Sequence, residues 1–224
     1  GINHIEGHIA ANYITHKDLE PPFLCMMMSG GNTQIIHVKN YTEFEVLGRT
    51  VDDAVGEAFD KIARVIGLGY PGGPKVDKMG QNGKPSIELP KTHFDNMDFS
   101  FSGIKTAVIN LHHKDPNINK PDLCKSFEKT VSEMLINTIK KAMEVTGENK
   151  IVLAGGVAAN SLLRETMKKT CDENGIKLYY PSPVYCTDNA AMIGAAAYYD
   201  FLDGKRSGLD LNAFPALKLG EKVE

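Results

Sequence analysis

The chain has 224 residues, of which 42% are hydrophobic and 24% charged, so it is globular and can bury a substantial core in one large domain or two small ones. A formal net charge of -3 argues against coating nucleic acid by bulk electrostatics and leaves only local basic pairs, Lys140-Lys141 and Lys168-Lys169, which as a rule are solvated helix faces. The longest apolar run, Phe23 to Met28, suits a buried strand and not a membrane span; the N-terminus does not read as a signal peptide; and Cys25, Cys124, Cys171 and Cys186 are too irregularly spaced for a zinc ribbon or a disulfide framework. A cytoplasmic protein with reduced thiols is the expectation.

In chain order, the first element is an amphipathic helix whose stripe is Ile5, Ile9, Ala10, Tyr13 and Ile14. His4 and His8 lie one turn apart on it, so both imidazoles can reach one ion. Such a pair is half a metal site, and without a third ligand hydrogen-bonded or solvent-facing histidines are the commoner outcome. It is not the zincin pattern, because Glu6 lies two residues after His4 instead of directly after it. Residues 23–28 and 34–38 then read as two strands joined by Ser29-Gly30-Gly31-Asn32-Thr33, a glycine turn that could also cradle a phosphate or carboxylate with its N–H groups.

Residues 50–68 read as a helix opened by a Thr50–Asp53 capping box, with an apolar stripe of Val51, Val55, Phe59, Ile62 and Ile66 facing away from Asp52, Asp53, Glu57 and Asp60. A glycine-proline loop follows, with a short helix from Pro74, a turn-rich stretch over 81–103, a helix from Ile104, and a long helix over 122–146 in which little chemistry is visible. Next comes a βαβ unit: a strand over 150–154, the turn Gly155-Gly156-Val157-Ala158-Ala159-Asn160, a helix over 161–174 and a strand over 176–180. A right-handed crossover would place that turn at the carboxyl end of a parallel sheet, where α/β folds bind ligands. The last helix, running to Leu202, carries small residues (Ala190, Ala191, Gly194 to Ala197) suited to close packing. Asp188 at its start reads first as an N-cap or first-turn acid, and second as the carboxylate that completes a two-histidine site suited to Fe(II), with zinc as competitor.

Seven segments in order, His4-Ile-Glu-Gly-His8, Met28-Ser-Gly-Gly-Asn-Thr-Gln34, Val51-Asp-Asp-Ala-Val-Gly-Glu-Ala-Phe-Asp-Lys61, Gly69-Tyr-Pro-Gly-Gly-Pro74, Phe99-Ser-Phe-Ser-Gly-Ile-Lys105, Ala154-Gly-Gly-Val-Ala-Ala-Asn160 and Cys186-Thr-Asp-Asn-Ala190, together resemble the TsaD family of tRNA threonylcarbamoyladenosine synthases, formerly described as O-sialoglycoprotein endopeptidases. The resemblance implies an α/β fold of the actin-like ATPase (ASKHA) superfamily: an RNase H-like sheet with flanking helices and a mostly helical insertion at about 74–148. It implies two parts, residues 1–22 as a metal-ligand and hinge helix and residues 23–224 as the C-terminal lobe. Family members carry a further lobe before the metal helix, so the chain is expected to be a C-terminal portion, inactive alone; Asn32 stands where bacterial relatives usually have His.

By the same resemblance, His4, His8 and Asp188 would hold one divalent metal, Fe(II) ahead of zinc; Met27, Met28, Ser29, Gly30 and Gly31 would line the phosphate and threonylcarbamoyl end of the substrate; Asp60, Gly73 and Asp77 would meet the ribose region and Asn160 the base or ribose. The implied activity is transfer of threonylcarbamoyl from threonylcarbamoyl-AMP to the N6 amine of the adenosine beside the anticodon in tRNAs reading codons that begin with A, with the metal as Lewis acid and with partner proteins of the TsaB and TsaE type. No catalytic acid or base is assigned; Asp60 and Glu57 are only the nearest carboxylates to hand. The alternatives are a metalloendopeptidase, which the glycine turns do not favour, and a non-catalytic lobe that serves as an assembly surface and can pair with a second copy.

Overall fold

A computed structural model describes residues 1–215 and 217–221. The strands are β1 (Phe23–Met28), β2 (Thr33–Asn40), β3 (Glu43–Arg49), β4 (Lys150–Ala154) and β5 (Lys177–Tyr179). The helices are α1 (His4–Thr15), α2 (Val55–Val65), α3 (Gly72–Gly80), α4 (Ser102–Lys114), α5 (Lys120–Thr146), α6 (Ser161–Glu173), α7 (Pro183–Cys186) and α8 (Ala190–Leu202), with a 3-10 turn over Gly156–Ala159. The strands form one sheet in the order β3-β2-β1-β4-β5. β1 to β3 are an antiparallel meander, whereas β4 lies parallel to β1 and β5 parallel to β4.

β1 is central and all six of its residues are buried, which explains an unbroken apolar run in place of alternation. Its side chains still alternate between faces. Leu24, Met26 and Met28 join a core with α2, α4, α5 and α6; Phe23, Cys25 and Met27 join a second core with α1. Helices therefore cover both faces, and the doubly covered sheet is the RNase H-like arrangement expected from the sequence. All four cysteines are free and buried. No helix among the described residues is long and apolar enough to cross a membrane.

Three expectations change. α2 begins at Val55, not near Thr50, and Thr50 and Asp53 form no capping box. The N–H groups of Thr50 and Val51 are held in strand-like bonds to the carbonyls of Thr33 and Phe99, and Val51 is exposed. Thr33 supplies the cap instead, its Oγ1 accepting from Val55 N–H at 2.9 Å across 22 residues. Asn189, not Asp188, caps α8 through Oδ1 to Met192 N–H at 2.9 Å. Finally, the close approach of α1 and α8 is made by Gly7, where a Cβ would lie 2.9 Å from Ile193, while Gly194 of α8 faces open space. β3 was not anticipated, although Phe44 and Val46 alternate with glutamates there in strand fashion.

Candidate functional site

Asn3 caps α1 by accepting from Ile5 N–H at 2.9 Å, so the helix starts at His4 and sets His8 one turn above it. The rings meet edge to face with centroids 4.7 Å apart. Because Asn189 performs the capping of α8, Asp188 is left outside the helix, and its Oδ1 lies 3.4 Å from His4 Nε2 and 3.2 Å from His8 Nε2. The three ligand atoms all lie within 4.8 Å of one another. An ion bonded at about 2.1 Å to two donors keeps them roughly 3.0 to 3.4 Å apart, so the His–Asp spacings suit a small divalent cation with little movement. His8 is 2% exposed, and burial together with the neighbouring His4 pushes its pKa down against the pull of Asp188, favouring the neutral imidazole that a metal requires. Its Nδ1 is buried with no partner among the described residues, so packing and not an outer hydrogen bond orients the ring. Two imidazole nitrogens and one carboxylate oxygen are a donor set that fits Fe(II) or zinc.

The two glycine turns stand side by side at the carboxyl ends of β1 and β4, whose register pairs Met27 with Ala154. Gly155 has φ +86°, and a Cβ there would lie 2.3 Å from the Met28 carbonyl oxygen; only glycine lets the second turn close against the first. One residue on, a Cβ on Gly156 would touch Thr187, the neighbour of Asp188, at 4.0 Å. The second turn thus lies between β1 and the segment that carries Asp188. Ser29 Oγ accepts from Asn32 N–H at 3.1 Å and Ser29 N–H donates to the Asn32 carbonyl at 2.8 Å, which shapes the first turn; Gly30 and Gly31 are exposed, with open space where side chains would be.

A second polar group gathers where α3, α5 and α6 meet. Asp60 Oδ1 accepts from Gly72 N–H at 2.6 Å, fixing the entry to α3 beside Gly73. Asp77 accepts from Ser161 N–H at 2.9 Å and from Ser161 Oγ, holding the first turn of α6. Asn160 caps that helix through Oδ1 to Leu163 N–H at 2.8 Å, and its Nδ2 donates to Glu128 Oε1 at 2.6 Å. Glu128 is 1% exposed, and burial pushes its pKa up to about 7, with Asp77 adding to the rise.

Among the expected substrate contacts, Met27 and Met28 have fully buried side chains on opposite faces of the sheet, leaving only their backbone to meet a ligand. The acidic residues expected on α2, two of which precede the helix, are largely engaged by other groups of the chain. Asp52 accepts from Ser100 Oγ and Phe101 N–H ahead of α4, Asp53 pairs with Lys61 and Lys105, and Glu57 pairs with Lys61 at 2.8 Å. Two residues were overlooked. Glu128 could have been noticed as a charged residue next to Phe127 on the apolar stripe of a long helix. Arg164 carries no sequence signal: it bonds the carbonyls of Ala158 and Pro181 and the Cys186 sulfur, tying the second glycine turn to the segment that bears Asp188. A cavity of 480 Å³ walled by residues 85–91 and α5 contains none of the expected site residues.

The family described as "TsaD: tRNA N6-adenosine threonylcarbamoyltransferase" matches residues 1–195. A tRNA N6-adenosine threonylcarbamoyltransferase of Clostridium perfringens (strain SM101 / Type A) is 54% identical over 229 aligned positions, covering 99% of this chain and 68% of the relative. One of Clostridium botulinum (strain Hall) is also 54% identical, covering 99% and 67%. Among solved structures, full-length HypF in its phosphate- and nucleotide-bound form superposes with a TM-score of 0.71 at 18% identity over 90% of this chain and 36% of that one. Component A of the Acidaminococcus fermentans (R)-2-hydroxyglutaryl-CoA dehydratase gives 0.56 at 15% identity, over 90% and 69%. At these identities the two structures bear on the fold alone.

Proposed function

The chain belongs to the tRNA N6-adenosine threonylcarbamoyltransferase family, and on that footing we propose that its site moves threonylcarbamoyl from threonylcarbamoyl-AMP to the N6 amine of the adenosine beside the anticodon in tRNAs reading codons that begin with A. The observation that carries this reading is the meeting of an imidazole–imidazole–carboxylate set with two glycine turns at the carboxyl ends of the parallel strands β1 and β4. In the reaction a bond forms between N6 and the carbamoyl carbon, the bond from that carbon to the AMP oxygen breaks, AMP leaves with the electron pair, and N6 gives up a proton.

The adenylate is already an activated leaving group, so the protein's task is chiefly to position the two reactants and stabilise an anion. Backbone N–H groups of Gly30 and Gly31 would meet the anionic end, the Ser29 N–H being taken by the Asn32 carbonyl, and Gly155 keeps a side chain from pressing on Met28 beside them. Asp60, Gly73, Asp77 and Asn160 meet the nucleoside, and the three side chains among them are fixed beforehand by the internal bonds described above, which reduces the ordering cost of binding. His4, His8 and Asp188 would hold a divalent metal, Fe(II) ahead of zinc, which when bound supplies Lewis-acid polarisation of a carbonyl. No side chain is assigned as general base, since Glu57 pairs with Lys61 and Asp60 accepts from Gly72. Glu6, the carboxylate nearest the histidines in sequence, lines the α1–α8 contact with Tyr13, Tyr199 and Asp200. We place the enzyme in the cytoplasm with partner proteins of the TsaB and TsaE type.

The test is an assay of the whole protein with threonylcarbamoyl-AMP, tRNA and partner proteins, comparing wild type with His4→Ala and Asp188→Ala. Loss of the modified nucleoside in both variants is expected, and full modification in both would overturn the metal-assisted reading.

A further inference from the structure

We infer that Glu128 of α5 is a positioning residue for the nucleoside end of the site: with the Leu163 N–H on the carbonyl oxygen, its Oε1 takes one hydrogen of the Asn160 amide, so that Asn160 has one N–H left to offer a ligand. This rests on the reading of Asn160 as a substrate contact.

The argument is one of hydrogen-bond inventory. The Leu163 N–H can only donate, so the atom of Asn160 that faces it at 2.8 Å has to be the carbonyl oxygen. The amide nitrogen is thereby turned toward Glu128 Oε1, 2.6 Å away. One of its two hydrogens is engaged there, and the other remains for a ligand. Asn160 is 8% exposed. A ligand atom satisfied by that remaining hydrogen has to carry a lone pair, as a ribose oxygen or an unprotonated ring nitrogen does.

Glu128 itself has no other visible duty. It is 1% exposed, and its Oε2 has no hydrogen-bond partner among the described residues. Gly80 of α3 leaves it room, since a Cβ there would lie 2.4 Å from Oε2. The charged and titratable groups facing it are Asp77 from α3 and Lys125 and Cys124 from its own helix; across from it stands neutral Asn160. A buried carboxyl among Leu123, Phe127 and Val131 weakens the core relative to an apolar residue of similar size, so its one engaged oxygen marks its use.

The experiment measures KM and kcat for threonylcarbamoyl-AMP in the whole protein with tRNA and partner proteins. Glu128→Leu should raise KM about tenfold with kcat within about twofold, the loss of one hydrogen bond's orientation, and Glu128→Gln, which keeps a carbonyl acceptor, should restore it. Asn160→Ala should raise KM by at least as much. The swapped pair Asn160→Asp with Glu128→Gln re-forms the internal bond with its polarity reversed: Tm returns to near wild type while KM stays high, because no N–H is left to offer. This pair carries the test even where Glu128→Leu does not fold. An unchanged KM in Asn160→Ala overturns the reading of Asn160 as a substrate contact. A raised KM there, combined with a normal KM in Glu128→Leu or in the swapped pair, or with no rescue by Glu128→Gln, overturns the role of Glu128.

Discussion

Two polar groups flank the carboxyl ends of β1 and β4, and they are built in opposite ways. The His4–His8–Asp188 group has an exposed carboxylate with two imidazole nitrogens aimed at it and, among the described residues, no backbone group that depends on it. The Asp60–Asp77–Glu128–Asn160 group is threaded with bonds to Gly72, Ser161 and Leu163 that hold helix ends in place. The Asp188 carboxylate of the first group can be removed at little structural cost, since it is exposed and caps no helix among the described residues. In the second, structure and the proposed binding would share the same atoms, so a substitution there should affect both.

The comparison is broken most sharply by Asp188→Ala, for which modification should fall at least about 100-fold while the Tm of the metal-free protein moves by no more than about 1 °C. Nucleoside analysis of the tRNA alongside calorimetry reads both, and a large Tm loss would show that the carboxylate is structural after all. Next in size is the junction between the groups: Gly155→Ala, at φ +86° and against the Met28 carbonyl, should cost roughly 3 kcal/mol or more in denaturant unfolding. Wild-type stability in that variant would mean that the two turns do not press on one another.

The pH responses should have opposite signs. Metal affinity of the histidine group should rise with pH, because a proton on an imidazole nitrogen competes with the ion, as read by titration with Zn2+ between pH 5 and 7. For Glu128 the folded pKa is raised from 4.5 to about 7. Its contribution is therefore fully present below about pH 4.5 and is lost as the pH rises toward 7, by roughly 3 kcal/mol at most over that window. Glu128→Gln should accordingly match wild type near pH 4.5 and exceed it in Tm above pH 7; equal curves at both ends would sink the assignment. Smaller still, Thr33→Val should cost about 1 kcal/mol by removing the cap of α2, with Gly30→Ala as the quiet control, within about 0.5 kcal/mol, because open space surrounds that position.

Local patterns in the sequence carried the element types, the βαβ unit, the burial of β1 and the seven segments that mark the family, because periodicity and turn chemistry act between residues close in the chain. The pairing of His4 with His8 was legible for the same reason, four residues being one helical turn. What lies between distant residues was not legible. Thr33 caps a helix 22 positions away, and Glu128 meets Asn160 across 32 positions. The sequence could propose Asp188 as a third ligand, but only the packing of α1 against α8 brings its oxygen to 3.2 Å from His8. Hydrogen-bond partners are chosen by tertiary proximity among many chemically equivalent donors and acceptors, and no local pattern selects one of them.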